Sequence, residues 1–138
     1  VWRWICQIAV APYSYDWIDN LGRHSPTELT PGADTVHVGQ RIQIFDVVSV
    51  VPGVQWTGRT RGGPRRLFGD VCLTYAAEPH PAGSRLVCRI AYPEPRGLGL
   101  RSRALEWGDL VMMRKQLLNL RALAERDAQR TRNSPRIG

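Results

Sequence analysis

The stretch WGDLVMMRKQLLNLRALAERD, residues 107–127, decides the fold. After Gly108 the chain runs without Pro or Gly as far as Pro135. Leu110, Met113, Leu117, Leu120 and Ala124 recur at three- and four-residue steps, so they share one stripe of an α-helix. Asp109 stands where that helix would begin, and a carboxylate there can accept from the unpaired N–H groups of the first turn. Arg114, Arg121 and Glu125 flank the stripe, while Val111, Met112, Leu118 and Leu123 are apolar but lie off it. A helix this apolar needs a broad cover, and the residues ahead of it predict a sheet.

From Arg41 the pattern changes period. Arg41 to Val51 is rich in Ile and Val and reads as one strand, closed by the turn signal Pro52-Gly53. From Val54 to Thr60 residues alternate, with Val54 and Trp56 on one face and Gln55, Thr57 and Arg59 on the other. Arg61 to Arg66, with Gly62-Gly63-Pro64 inside it, reads as a second turn. Leu67 to Ala77 reads as a strand with Val71, Leu73 and Tyr75 on one face, and Glu78 to Gly83 as a loop. Ser84 to Tyr92 alternates most cleanly: Leu86, Cys88, Ile90 and Tyr92 point one way, Arg85 and Arg89 the other. Pro93 to Arg103 is a Pro/Gly/Arg connection into the long helix.

Ahead of the strands, Val1 to Val10 reads as the end of a short helix. A second short helix follows, with Ser14 or Asp16 as its cap and Gly22 closing it. Tyr13, Tyr15 and Trp17 put three aromatics in five residues, either as packing area or as the wall of a ligand cavity. Ser25 to Gly39 reads as loop. Short turns favour an antiparallel meander with one dry face, and the long helix then lies across that face. The expected class is α+β, one domain over residues 1–130 with a disordered tail at 131–138.

No stretch reaches the ~18 to 20 apolar residues of a membrane span. Cys6, Cys72 and Cys88 are dispersed, with no CxxC or Cys/His cluster, so neither a disulfide framework nor a metal site is indicated. Three small buried thiols fit a reducing, cytoplasmic setting. The net charge of +7 invites a nucleic-acid reading, but Lys115 is the only lysine, the arginines are scattered, and no recognised module accompanies them. That skew reads as codon bias, not as a phosphate-binding surface.

Two stretches carry a family resemblance. One is VWRWICQ, residues 1–7, with YSYDWIDNLGR, residues 13–23, and Ser25-Pro26; the other is GDLVMMRKQLLNL, residues 108–120. Together they resemble the START-like, or SRPBCC, superfamily of polyketide cyclases and lipid carriers, in an uncharacterised bacterial subgroup. The resemblance spans Val1 to Asp127 and implies a helix-grip fold: a strand, two short helices, a meander, and a long C-terminal helix gripped by the sheet. The family's first strand precedes the first helix, and this chain starts inside that helix. The expectation is a domain lacking that strand and leaving a sheet edge unpaired.

No nucleotide loop, HExxH or triad spacing appears, and the residues single out no catalytic set, cofactor or metal. His24, His37 and His80 read as surface histidines, and Asp16 with Asp19 as a solvated pair. The resemblance implies a binder or carrier of a hydrophobic small molecule: a lipid, a polyketide or a quinone-like compound. An aromatase/cyclase-like enzyme is the alternative, with Tyr13, Tyr15, Tyr75 and Arg114 as candidates; an Arg-rich interaction module is the third. The expected ligand-binding set is Tyr13, Tyr15, Trp56, Tyr75, Met113, Arg114 and Leu117, enclosing an apolar pocket between sheet and helix. Oligomeric state is not encoded in any feature of the sequence.

Overall fold

The computed structural model describes residues 1–92 and 100–133; the side chains of Asp19, Leu67, Phe68, Asp109 and residues 100–106 lie outside that description. Helix α1 (Trp2–Cys6) runs into a 3₁₀ turn (Gln7–Ala9), and α2 (Asp16–Asp19) follows. Five strands then form a meander: β1 (Arg41–Ile42), β2 (Phe45–Val51), β3 (Gln55–Thr60), β4 (Cys72–His80) and β5 (Gly83–Ala91). A short helix α3 (Gly62–Phe68) joins β3 to β4, and α4 (Leu100–Asn133) ends the described chain. The sheet is antiparallel throughout, in the order β1-β2-β3-β4-β5, and curls into a half-barrel around the helices. The fold is therefore α+β and consistent with a helix grip.

The register explains the curl and the core. A bulge at Val48 shifts the pairing between Val47 and Ser49, which bends β2 and increases the local twist. Beyond it, Trp56 pairs with Tyr75, and Tyr75 pairs with Cys88, so all three strands turn these residues inward. The Trp56 and Tyr75 rings pack 5.0 Å apart at 40°. Ile5 and Ile8 from the N-terminal helices, and Leu120 from α4, fill the remaining concavity and are almost fully buried. Among the described residues β5 has no neighbour on its second side.

Helix α4 is about 50 Å long at 1.5 Å per residue. Among its described side chains Gln116 and Leu120, in the middle, are buried, whereas Trp107 and Leu110 are largely exposed. Polar contacts fix its height. Trp4 Nε1 donates to Asp127 Oδ2 at 3.0 Å, Asn119 Nδ2 to Tyr13 O at 2.9 Å, and Arg130 Nη1 to Glu28 Oε1 at 2.8 Å. No described helix is long and apolar enough to cross a membrane.

Several local expectations are corrected. The helix begins at Leu100, nine residues before Asp109, so Asp109 is an interior position and not a cap; residues 100–103 are helical, and 93–99 lie outside the described residues. Gly108 is accommodated within the helix because neighbouring residues propagate it at a cost of about 1 kcal/mol. Residues 131–133 are helical as well, and the expected tail at 134–138 lies outside the described residues. The single strand from Arg41 splits at Gln43, whose φ of 52° makes a tight turn between β1 and β2. Arg61 to Arg66 is not a plain turn but enters α3, because Pro64 sits in the first turn, where a missing N–H costs nothing. Accordingly β4 starts at Cys72, not Leu67, and it continues through Glu78 to His80. Neither Ser14 nor Asp16 caps α2; Tyr15 holds that position with no side-chain bond, while the Asp16 carboxylate accepts from Ser25 N–H at 2.9 Å. The helix ends at Asn20, which caps it; Leu21 takes the left-handed turn with φ of 52°, and Gly22 follows, donating its N–H to Asp16 O at 2.8 Å.

Candidate functional site

Between β5 and α4 the structure leaves a cleft of about 1440 Å³, open to solvent along one side. Its floor follows directly from two sequence periods. The alternation of β5 supplies Leu86, Cys88 and Ile90, and the stripe of α4 supplies Met113, Leu117 and Leu120. All six pack against or belong to the core, yet only Leu120 is fully buried, so apolar surface remains available to a ligand. Trp4 closes the floor from α1, with its indole tethered to Asp127.

The rim is polar and mostly cationic. Arg114, Arg121 and Arg132 line it from α4, and His80 and Ser84 from the β4–β5 hairpin. Glu125 is the one carboxylate on the described lining, and its Oε1 accepts from Arg121 Nε at 2.8 Å. Arg114 and Arg132 are exposed and make no ion pair among the described residues.

The expected ligand-binding residues divide into two groups. Met113, Arg114 and Leu117 line the cleft. Tyr13, Tyr15, Trp56 and Tyr75 do not. Trp56 and Tyr75 are packed solid in the core behind the floor, because the β3–β4–β5 register turns them under the N-terminal helices. The Tyr75 phenol donates to Gln116 Oε1 and lies 3.2 Å from Met113 Sδ, and burial pushes it well above the usual tyrosine range. Tyr13 is also buried, edge-on to Trp4 at 6.0 Å and 88°, and no protein group bonds its hydroxyl among the described residues. Burial, with the Asp16 carboxylate nearby, pushes its pKa up to about 12, so it is a poor proton donor at neutral pH. Tyr15 is half-buried at the start of α2.

Cys88 is the one thiol on the cleft wall; burial raises it to about 12, which makes it an inert hydrophobe and not a nucleophile. Cys72 faces away from it, since Cys72 pairs with Ala91 and Cys88 with Tyr75, an odd offset on β4 that sends the two to opposite faces. The three cysteines are free. No group of metal-ligating side chains occurs among the described residues. The Asp16–Asp19 pairing lies outside the described residues on its Asp19 side; the Asp16 carboxylate is held by Ser25 and lies 3.7 Å from His24 Nδ1.

Sequence reasoning missed the β5 wall and the hairpin rim. The signal present in the sequence was the alternation itself, which puts Leu86, Cys88 and Ile90 on one face of β5. No protein-family model matches the chain, and neither does any curated protein or any solved structure.

Proposed function

We propose that the chain binds and carries a hydrophobic small molecule (a lipid, a polyketide or a quinone-like compound) in the β5–α4 cleft. The observation that carries this reading is the apolar floor of Leu86, Ile90, Met113 and Leu117 left open beneath a cleft of about 1440 Å³. Burying such surface contributes about 25 cal/mol per Å², enough to drive binding without any specific chemistry. The START-like resemblance supports the same class of ligand, and three free thiols are consistent with carriage in a reducing cytoplasm.

Carrier is favoured over cyclase by the disposition of the polar groups. Of Tyr13, Tyr15, Tyr75 and Arg114, only Arg114 reaches the cleft, so none of the three tyrosines is placed to act there as an acid or base. The interaction-module reading is weakened because Arg59 and Arg65 are already engaged by Asp70.

The test is titration with an environment-sensitive apolar fluorophore, followed by displacement with long-chain lipids, aromatic polyketides and quinones. Saturable binding at one site is expected, and Leu117→Arg is expected to abolish it. Ala128→Trp provides a second obstruction from an exposed lining position, so core packing is left alone. Binding that ignores both substitutions would contradict the assignment to this cleft.

A further inference from the structure

One face of α4 lies open to water, and its residues follow a regular order. Trp107, Val111, Arg114 and Leu118 step by four, three and four residues, and Arg121, Glu125, Ala128 and Arg132 continue the same rhythm. All are exposed, Trp107 by 69 % and Val111 by 50 %. Alternating steps of three and four are the seam spacing of two helices wound round each other. The seam runs about 38 Å at ~1.5 Å per residue. With Leu110 beside it, roughly 400 Å² of apolar side chain is left in water, the size at which a patch on a monomer marks an interaction site.

The order of residues along the seam selects its occupant. In a parallel pair each position meets its own copy, which sets Arg114 on Arg114, Arg121 on Arg121 and Glu125 on Glu125, and facing like charges repel. An antiparallel pair with its two-fold axis between Asn119 and Leu120 behaves differently. Trp107 then meets Arg132 of the second copy, Val111 meets Ala128, Arg114 meets Glu125 and Leu118 meets Arg121, and each meeting occurs twice. These are a guanidinium on an indole face, two small apolar side chains, an ion pair, and the aliphatic stem of an arginine on a leucine. No position of the seam directly faces a like charge. Glu125 spends Oε1 on its own Arg121 at 2.8 Å, which leaves Oε2 to accept from Arg114 of the second copy. Arg114 and Arg132 make no ion pair within the described chain.

We infer that two copies of the chain form a two-fold dimer through this face of α4, with the helices antiparallel. The seam complements itself in charge and in apolar character, and that is the property a two-fold contact requires of a single surface. The contact is one helix face wide, so the dimer is of the weak, reversible class. Arg114, Leu118, Arg121 and Glu125 also line the cleft, so the second helix borders its open side; the dimer does not depend on what the cleft holds.

Sedimentation velocity of the full chain over a concentration series tests the dimer, and cross-linking tests its order. A shift from monomer to dimer is expected as concentration rises. Arg114→Glu faces Glu125 of the second copy and is expected to weaken the dimer about ten-fold, since the two-fold axis repeats the loss. Adding Glu125→Arg reverses both ends of the contact and is expected to restore most of the affinity. Both positions are exposed, so the fold is left alone, and unchanged circular dichroism checks this. Chains carrying Val111→Cys and chains carrying Ala128→Cys, oxidised as a mixture, are expected to join in a disulfide that peptide mapping locates between 111 and 128. A chain that stays monomeric up to its solubility limit would overturn the inference. So would a dimer indifferent to Arg114→Glu, or one that the double reversal fails to restore. Self-cross-linking of Val111→Cys chains through position 111, or no cross-link in the mixture, would overturn the antiparallel order.

Discussion

The Tyr75 phenol donates its proton to the Gln116 side-chain oxygen, and that bond joins the centre of the sheet to the middle of the long helix. Gln116 is buried, and its amide in turn donates to Pro12 O, so one polar side chain ties β4, α4 and the N-terminal segment together. Gln116→Leu leaves the Pro12 carbonyl and the Tyr75 hydroxyl without this partner and is expected to cost about 2–3 kcal/mol in urea unfolding. Tyr75→Phe is expected to cost about 1–2 kcal/mol, with the Gln116 oxygen left bare. The double variant should cost less than the sum of the two, because the orphaned pair is removed together. Strict additivity would show that the bond couples nothing.

Gly58 of β3 pairs with Val47 of β2 and lies beside Phe45. A Cβ added there would meet Phe45 Cβ at 2.8 Å and the fully buried Trp56 ring at 3.3 Å, so something must shift. Gly58→Ala is expected to lower stability by about 1–3 kcal/mol through overpacking. The same substitution in a Phe45→Gly background, which lacks that Cβ, should cost less; an equal cost would place the strain elsewhere.

Alkaline pH is expected to weaken the fold through its buried thiols. Burial raises Cys6 and Cys88 from an ordinary value of 9.0 to about 12 in the folded chain; for Cys6 the Asp34 carboxylate adds to it. The folded state therefore holds these protons more tightly than the unfolded state, so their contribution is complete below about pH 8 and falls as pH rises from 9 towards 12. Unfolding midpoints measured from pH 7 to pH 11 should decline above pH 9, and Cys6→Ala with Cys88→Ala should flatten that decline. An unchanged slope in the double variant would assign the effect to other groups, with Tyr13 and Tyr75 next in line.

Periodicity made the large elements legible. The α4 stripe from Met113 to Ala124 and the β5 alternation both hold, since packing a wide face enforces a period over many residues. Helix ends and short connections were less legible. Asp109 had the chemistry of a cap, but the helix reached back to Leu100, and Gly62-Gly63-Pro64 had turn chemistry yet started a helix. In both places tertiary context outweighed local preference, and that is hardest to read where an element is short or ending. The candidate site was half legible. Met113, Arg114 and Leu117 follow from the helix face alone, whereas Tyr13, Trp56 and Tyr75 were chosen for their chemistry. Which aromatic is covered depends on the pairing register, as the Trp56–Tyr75–Cys88 ladder shows, and register is a long-range property.

The most direct test of the central claim is native mass spectrometry of the freshly purified chain beside its Leu117→Arg variant. The account predicts an adduct of long-chain or other apolar small-molecule mass on the unmodified chain. That adduct should be released on denaturation and absent from the variant. An empty chain that also takes up no added lipid, polyketide or quinone, or an adduct retained equally by the variant, would contradict a ligand site between β5 and α4.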